Sequence, residues 1–124
     1  MGLNLSGYNS NMDSKTKGIR GEGIAKNHYE HNGYELLETN YRYKRAEIDF
    51  IALKDEAILV FVEVKNRSRT DFGEPETFVS PSQQERIKEA AEEYIFGINW
   101  KKDIRFDIVC VDAGGNIEIF EDAF

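Results

Sequence analysis

The sequence predicts an α+β or mixed α/β domain, a central sheet flanked by helices, with the element order α-β-β-β-α-β-β. Three observations carry that prediction. The segments YELLETNYRYK, AEIDFIALK and AILVFVEVKNR follow one another across short polar breaks, each rich in aliphatic and aromatic residues, as in an antiparallel meander. In PSQQERIKEAAEEYIFGI the apolar residues Ile87, Ala90, Ala91, Tyr94, Ile95 and Ile98 step by 3, 1, 3, 1 and 3, the spacing of an amphipathic helix. The strands are grouped ahead of that helix and do not strictly alternate with helices, so the sheet is mixed.

Each element has a local reason. Residues 1–14 are rich in Asn, Ser and Gly and read as a disordered tail, so a single domain is expected over 15–124, with no internal repeat. A first helix is expected from Thr16 to Asn32, ended by Gly33 and weakened near its start by Gly18, Gly21 and Gly23. Ala25 and Tyr29 lie four apart on one face of it; Glu22, three before Ala25, shares that inward face, where an acid needs a reason. Ser80 is the expected N-cap of the second helix, with Pro81 at its first position. RFDIVCV then reads as a buried strand, AGGN as a turn and IEIF as a short edge strand.

With 124 residues, 40% of them hydrophobic, the chain builds an ordinary core. Its longest wholly apolar run, Ala57 to Val62, is six residues, far short of a membrane span. No basic-then-apolar secretory signal opens the sequence. MGLNLS fits the N-myristoylation pattern, but with so few fixed positions the match carries little weight. Cys110 is the only cysteine and sits inside a strand pattern, which makes it a small buried hydrophobe and a reducing, cytoplasmic location the default.

The formal charge of -7 argues against a nucleic-acid partner only as long as the chain is treated as uniform. Residues 1–69 hold 11 basic and 10 acidic residues, while residues 70–124 hold 5 and 13. The bases also cluster, as YRYKR and KNRSR. Binding depends on the local field, so Arg42, Lys44, Arg45, Arg67 and Arg69 are candidate contacts to a nucleic-acid backbone, the alternative being solvated turns. Such contacts position a ligand without reading bases and weaken with salt. Tyr41 and Tyr43 either stack on bases or, more in keeping with alternating strand tyrosines, pack against a helix.

Chemistry concentrates at the end of the strand AILVFVEVKNR. Leu59, Phe61, Glu63 and Lys65 share one face, which changes from oil to charge. On the preceding strand Asp49 interrupts the apolar run IDFIA, and a hairpin around Asp55 and Glu56 sets it across from Glu63 or Val62. Two neighbouring carboxylates repel unless a cation joins them. Mg²⁺ or Mn²⁺ would suit Asp49, Glu63 and the carbonyl of Val64, leaving positions for water and phosphate. The ion would lower the pKa of a bound water and offset charge on a phosphodiester, while Lys65 orients that water or stabilises developing charge. The alternative is an ion pair at the rim of the sheet. Acid-x-Lys is common in so charged a chain, and Asp13-Ser14-Lys15 is another instance; the strand context carries the weight. His28 and His31 read as surface residues, and GIRG at 18–21 lacks the preceding elements of a KH RNA-binding module.

The set GIRGEGIA, GYELLETNYR, AEIDFIA, LVFVEVKNR and RFDIV resembles the YraN-like family of bacterial proteins, assigned to the PD-(D/E)xK, or restriction-endonuclease-like, nuclease superfamily. The resemblance spans residues 17–112 and implies an α-β-β-β-α-β core with a divalent-metal phosphodiesterase site; DNA is the expected substrate ahead of RNA. It implies that Asp49 and Glu63 bind metal, that Lys65 is the catalytic lysine and that Glu22 is the helix-borne acid of Holliday-junction resolvases. Those resolvases are symmetric dimers, so a homodimer is the implied assembly. The sequence departs from the family at Ala46, where Gly is usual, and at Gln83-Gln84, where Lys-Gln is usual. The first bears on turn geometry; the second removes a cation that would touch phosphate. A rival reading keeps the fold and the basic rim as a binding or interaction module without catalysis.

Overall fold

Asp13 opens the first helix. Its carboxylate accepts the Thr16 amide at 2.8 Å, which makes the acid of Asp13-Ser14-Lys15 a helix cap. Helix α1 (Ser14–His31) therefore starts two residues ahead of the expected Thr16. It stops at Gly33, whose φ of 89° suits a residue without Cβ. The chain is seen as a computed structural model that describes residues 13–67 and 79–124; residues 1–12 of the expected tail, and Arg69, lie outside them.

The remaining elements are β1 (Tyr34–Tyr43), β2 (Ala46–Lys54), β3 (Ile58–Asn66), α2 (Pro81–Ile98), β4 (Asp103–Val111) and β5 (Ile117–Phe120). They form one mixed sheet in the order β1-β2-β3-β4-β5. β1, β2 and β3 are the antiparallel meander read from the sequence, and β5 runs antiparallel to β4 at an edge. β3 and β4 pair in parallel, which needs the long crossover that contains α2. Ser80 accepts the Gln83 amide at 3.2 Å as the cap of α2, and Asn99 ends it in the left-handed conformation.

The helices cover opposite faces of the sheet. Leu59 and Phe61 of β3 pack with Ile87, Ala90, Ala91 and Tyr94 of α2. Val60 and Val62 pack with Ala25 and Tyr29 of α1. Leu59 to Val62 are at most 1% exposed, the burial expected of a central strand with no wet side. Tyr41 meets the Tyr94 ring edge-on at 5.1 Å between centroids, so it packs on a helix. Asp107, the acid of RFDIV, is fully buried but satisfied: it accepts from Tyr29 at 2.7 Å and from Arg105 at 2.8 Å, tying α1 to β4.

The β2–β3 turn has positive φ at both Asp55 and Glu56, 55° each, closed by the Ala57 amide donating to Lys54 at 2.9 Å. This is the mirror-image turn whose twist suits a hairpin and which favours Gly at its second central position. Glu56→Gly is expected to stabilise the fold by about 1 kcal/mol by removing left-handed strain. Thermal denaturation would show it as a raised Tm.

Candidate metal centre

The site forms where the β2–β3 ladder stops. Its last pair is Phe50 with Val62, and the same register brings Asp49 opposite Glu63. The Val64 amide instead donates to Asp49 Oδ2 at 2.7 Å. Residues two apart on a regular strand share a face, yet Ile48 lies in the α2-side core and Phe50 in the α1-side core. β2 thus changes face around Asp49, which carries its carboxylate to the margin of the sheet. Glu63 keeps the face of Leu59 and Phe61, as the alternation predicts.

Glu63 is 8% exposed. Its Oε2 accepts from Gln83 Nε2 at 2.9 Å and lies 3.4 Å from Lys65 Nζ. Its Oε1 is buried and has no hydrogen-bond partner among the described residues. Leaving such an acceptor unpaired costs about 1–3 kcal/mol, and more when it is charged. Asp49 and Glu63 line one cavity of about 210 Å³ together with Arg45, Glu47, Gln83 and Arg86. Burial and the neighbouring Glu63 push the Asp49 carboxyl up to about 8, against the lowering effect of the Val64 amide. Burial likewise raises Glu63, opposed by the Lys65 charge and by a hydrogen bond shared with the Asp49 carboxyl.

Glu22 reaches this place from α1. Its charge adds to the upward pressure on Asp49, and its carboxylate pairs with Lys26 at 3.6 Å. Asn40, which the sequence reading missed, donates to both Glu22 oxygens at 3.4 and 3.5 Å. The β1–β2 register sets Asn40 opposite Asp49, and its φ of 53° is left-handed in the middle of a strand. Asn tolerates that conformation better than most side chains, which is the only trace of it in the sequence. Asn40→Ala is expected to cost about 1–2 kcal/mol, and Asn40→Gly clearly less because glycine keeps the backbone conformation. Thermal denaturation of the two variants separates the demand of the backbone from that of the amide.

Other expectations fall into place individually. Ala46 is buried and its φ is not left-handed; Lys44, at 56°, takes the unusual conformation, so alanine at 46 leaves the turn undisturbed. Gln83, where the family usually has lysine, donates to Glu63 and lines the same cavity. Arg42 pairs with Glu47 at 3.6 Å, Lys44 with Glu89 at 3.5 Å and Arg67 with Glu118 at 2.8 Å. Arg45 lines the cavity, and so does Arg86, which was not anticipated. His31 bonds the Asn27 carbonyl at 2.8 Å in the last turn of α1, away from the carboxylates.

Among the described residues no three carboxylate, imidazole or thiolate groups form a ready cation cage. The donor set nevertheless fits a hard ion that keeps several waters: a buried and a partly buried carboxylate, one with an orphaned oxygen, line one cavity where ionising both without a cation is disfavoured. Val64 adds a carbonyl, which in a strand points to the same side as its amide and hence toward Asp49.

Fold and site define an α+β domain whose five-stranded mixed sheet carries at one margin a buried and a partly buried carboxylate with a lysine beside them. The chain belongs to the uncharacterised protein family UPF0102, whose model matches residues 21–111, a span that contains Glu22, Asp49, Glu63 and Lys65. It is 45% identical over 107 residues to a UPF0102 protein of Flavobacterium psychrophilum, covering 84% of this chain and 89% of the relative. A UPF0102 protein of Christiangramia forsetii is 39% identical over 110 residues, covering 86% and 92%. One of Dictyoglomus turgidum is 43% identical over 101 residues, covering 81% and 85%. Among the described residues no helix is long and apolar enough to cross a membrane.

Proposed function

We propose that this chain is a divalent-cation-dependent phosphodiesterase of the PD-(D/E)xK nuclease type, cutting DNA according to its structure and not its base sequence. The observation that carries the reading is the convergence of Asp49 and Glu63 on one cavity, with Glu63 Oε1 buried and unpartnered and Lys65 at 3.4 Å from Glu63. DNA, ahead of RNA, is the substrate in this reading.

Asp49, Glu63 and the Val64 carbonyl would hold Mg²⁺ or Mn²⁺, with Glu22 as a further acid on the α1 side. When bound, such an ion supplies an activated water and offsets negative charge on the phosphodiester. Gln83 holds Glu63 in place through Oε2 and leaves Oε1 free to ligate. The Val64 amide does the same for Asp49 through Oδ2. Lys65, partly exposed beside Glu63, orients the attacking water or stabilises the charge that develops on phosphate.

The test is cleavage of branched, flapped, single-stranded and duplex DNA with and without Mg²⁺ or Mn²⁺, the Lys65→Ala chain serving as control. Cleavage is expected only with the cation, falling at least about a hundredfold in the variant. A parallel cation titration should shift the resonances of Asp49, Glu63 and Lys65 selectively. No cleavage of any substrate together with unmoved resonances would overturn the reading.

A further inference from the structure

We infer that Arg45 and Arg86 form a clamp for one backbone phosphate at the mouth of the carboxylate cavity, and that the ligand is a single-stranded nucleic acid held over a short footprint. The inference deepens the nuclease reading and rests on it only for the class of ligand.

Arg45 comes from the β1–β2 turn and Arg86 from the second turn of α2, and both line the cavity whose walls include Asp49 and Glu63. The two arginines are exposed, whereas Glu63 is buried, which puts the guanidiniums at the opening. Among the described members of the basic clusters, Arg42, Lys44 and Arg67 each face a carboxylate. Arg45 and Arg86 have no ion-pair partner among the described residues. A guanidinium offers paired N–H donors in the geometry of a phosphate, so two of them over one small cavity suit a single phosphate group. Glu47 also lines the cavity, but its carboxylate is shared with Arg42 at 3.6 Å.

The surroundings limit how far the ligand extends. Arg86 also lines a neighbouring groove with Glu85, Glu92 and Lys88, beside Ile95, Ile104 and Phe106; Glu89 lines it too but is shared with Lys44 at 3.5 Å. A phosphate placed one step further along α2 therefore meets carboxylates. A duplex carries one charge per about 1.7 Å of axis and would press its second strand onto this acidic surface, whereas a single strand can turn away from it.

The experiment measures binding of a short fluorescent single strand and of the same sequence as duplex, by anisotropy in EDTA across a salt series. EDTA keeps cation-dependent cleavage out of the measurement, so the arginine effects are read on binding alone. Two phosphate-bound cations give a slope of log affinity against log salt near about −1.4, against about −3.5 if all five clustered bases engage. Arg45→Gln and Arg86→Gln should each weaken single-strand binding about tenfold and halve the slope, and Lys101→Gln, at the far end of α2, should not. Circular dichroism confirms that the variants fold. A slope near −3.5 that Arg86→Gln leaves unchanged, or tighter binding of the duplex, overturns the clamp. Cation-dependent cleavage without these arginine effects overturns the clamp and leaves the nuclease reading standing. Arginine-dependent binding with no cation response at Asp49 or Glu63 upholds the clamp and overturns the nuclease reading.

Discussion

Glu63→Gln is expected to abolish cation-dependent cleavage, by about a thousandfold or more, while the chain stays folded and becomes more stable in the absence of metal. Glutamine has nearly the shape of glutamate, and its carbonyl can still accept from Gln83, so the packing against α2 survives. What disappears is a charge buried at 8% exposure with one oxygen unpartnered. Removing a charge that the metal-free fold does not fully satisfy relieves strain, whereas removing it from an ion's coordination loses the ion. The two effects have opposite signs, which a structural rim pair does not produce. If Glu63 served only to pair with Lys65, its loss would be neutral or mildly destabilising and would leave any cation response intact. Calorimetric titration with Mg²⁺, thermal denaturation in EDTA and a cleavage assay on the same variant separate the two cases.

The second large effect is on pH. Asp49 has an ordinary carboxyl value of 3.8 that the fold pushes up to about 8. Between those limits the folded chain holds a proton that the unfolded chain has released, so metal-free stability is full below the lower limit and declines as pH rises toward the upper one. Between pH 5 and 8 the metal-free chain should therefore lose stability, read as a falling Tm. Asp49→Asn should flatten that profile, since Asn can still accept the Val64 amide through its carbonyl. Added Mg²⁺ should raise Tm more at pH 8 than at pH 5, because it replaces the proton and releases it to solvent. A metal-free profile that is flat across this window, or the same in the Asn variant, would show that the Asp49 carboxyl is not under the pressure that the site geometry describes.

Several parts of this site were legible from residue pattern alone. The unbroken run Leu59 to Val62 marks a strand buried on both faces, and period-two alternation places Glu63 and Lys65 together beyond it. A hairpin with Asp55 and Glu56 at its turn confines Asp49 to within one residue of facing Glu63, and the observed register chooses that partner. Glu22 stands out as an acid on the helix face that carries Ala25 and Tyr29. Charge clustering was legible too, but its meaning was not. Arg42, Lys44 and Arg67 look available in a linear reading, and only folding brings Glu47, Glu89 and Glu118 to them. Arg86 shows the reverse: on an acid-rich helix it attracts no notice, yet the packing of α2 against the β1–β2 turn sets it at the cavity.

Asn40 and Gln83 were illegible for a related reason. Each acts through its side-chain amide on one residue 18 or 20 positions away, and no periodicity encodes such a contact. By itself, then, the sequence determined the element order, the central position of β3 and the identity of the acids at its end, because those follow from local propensity and from the periodicities of helix and strand. The tertiary structure alone decided which basic groups stay unpaired, how Glu63 is left with one free oxygen, and that β2 changes face around Asp49 to bring the carboxylates together. Those features arise from contacts between segments distant in the chain, where burial and competition for partners act on groups that the sequence keeps far apart.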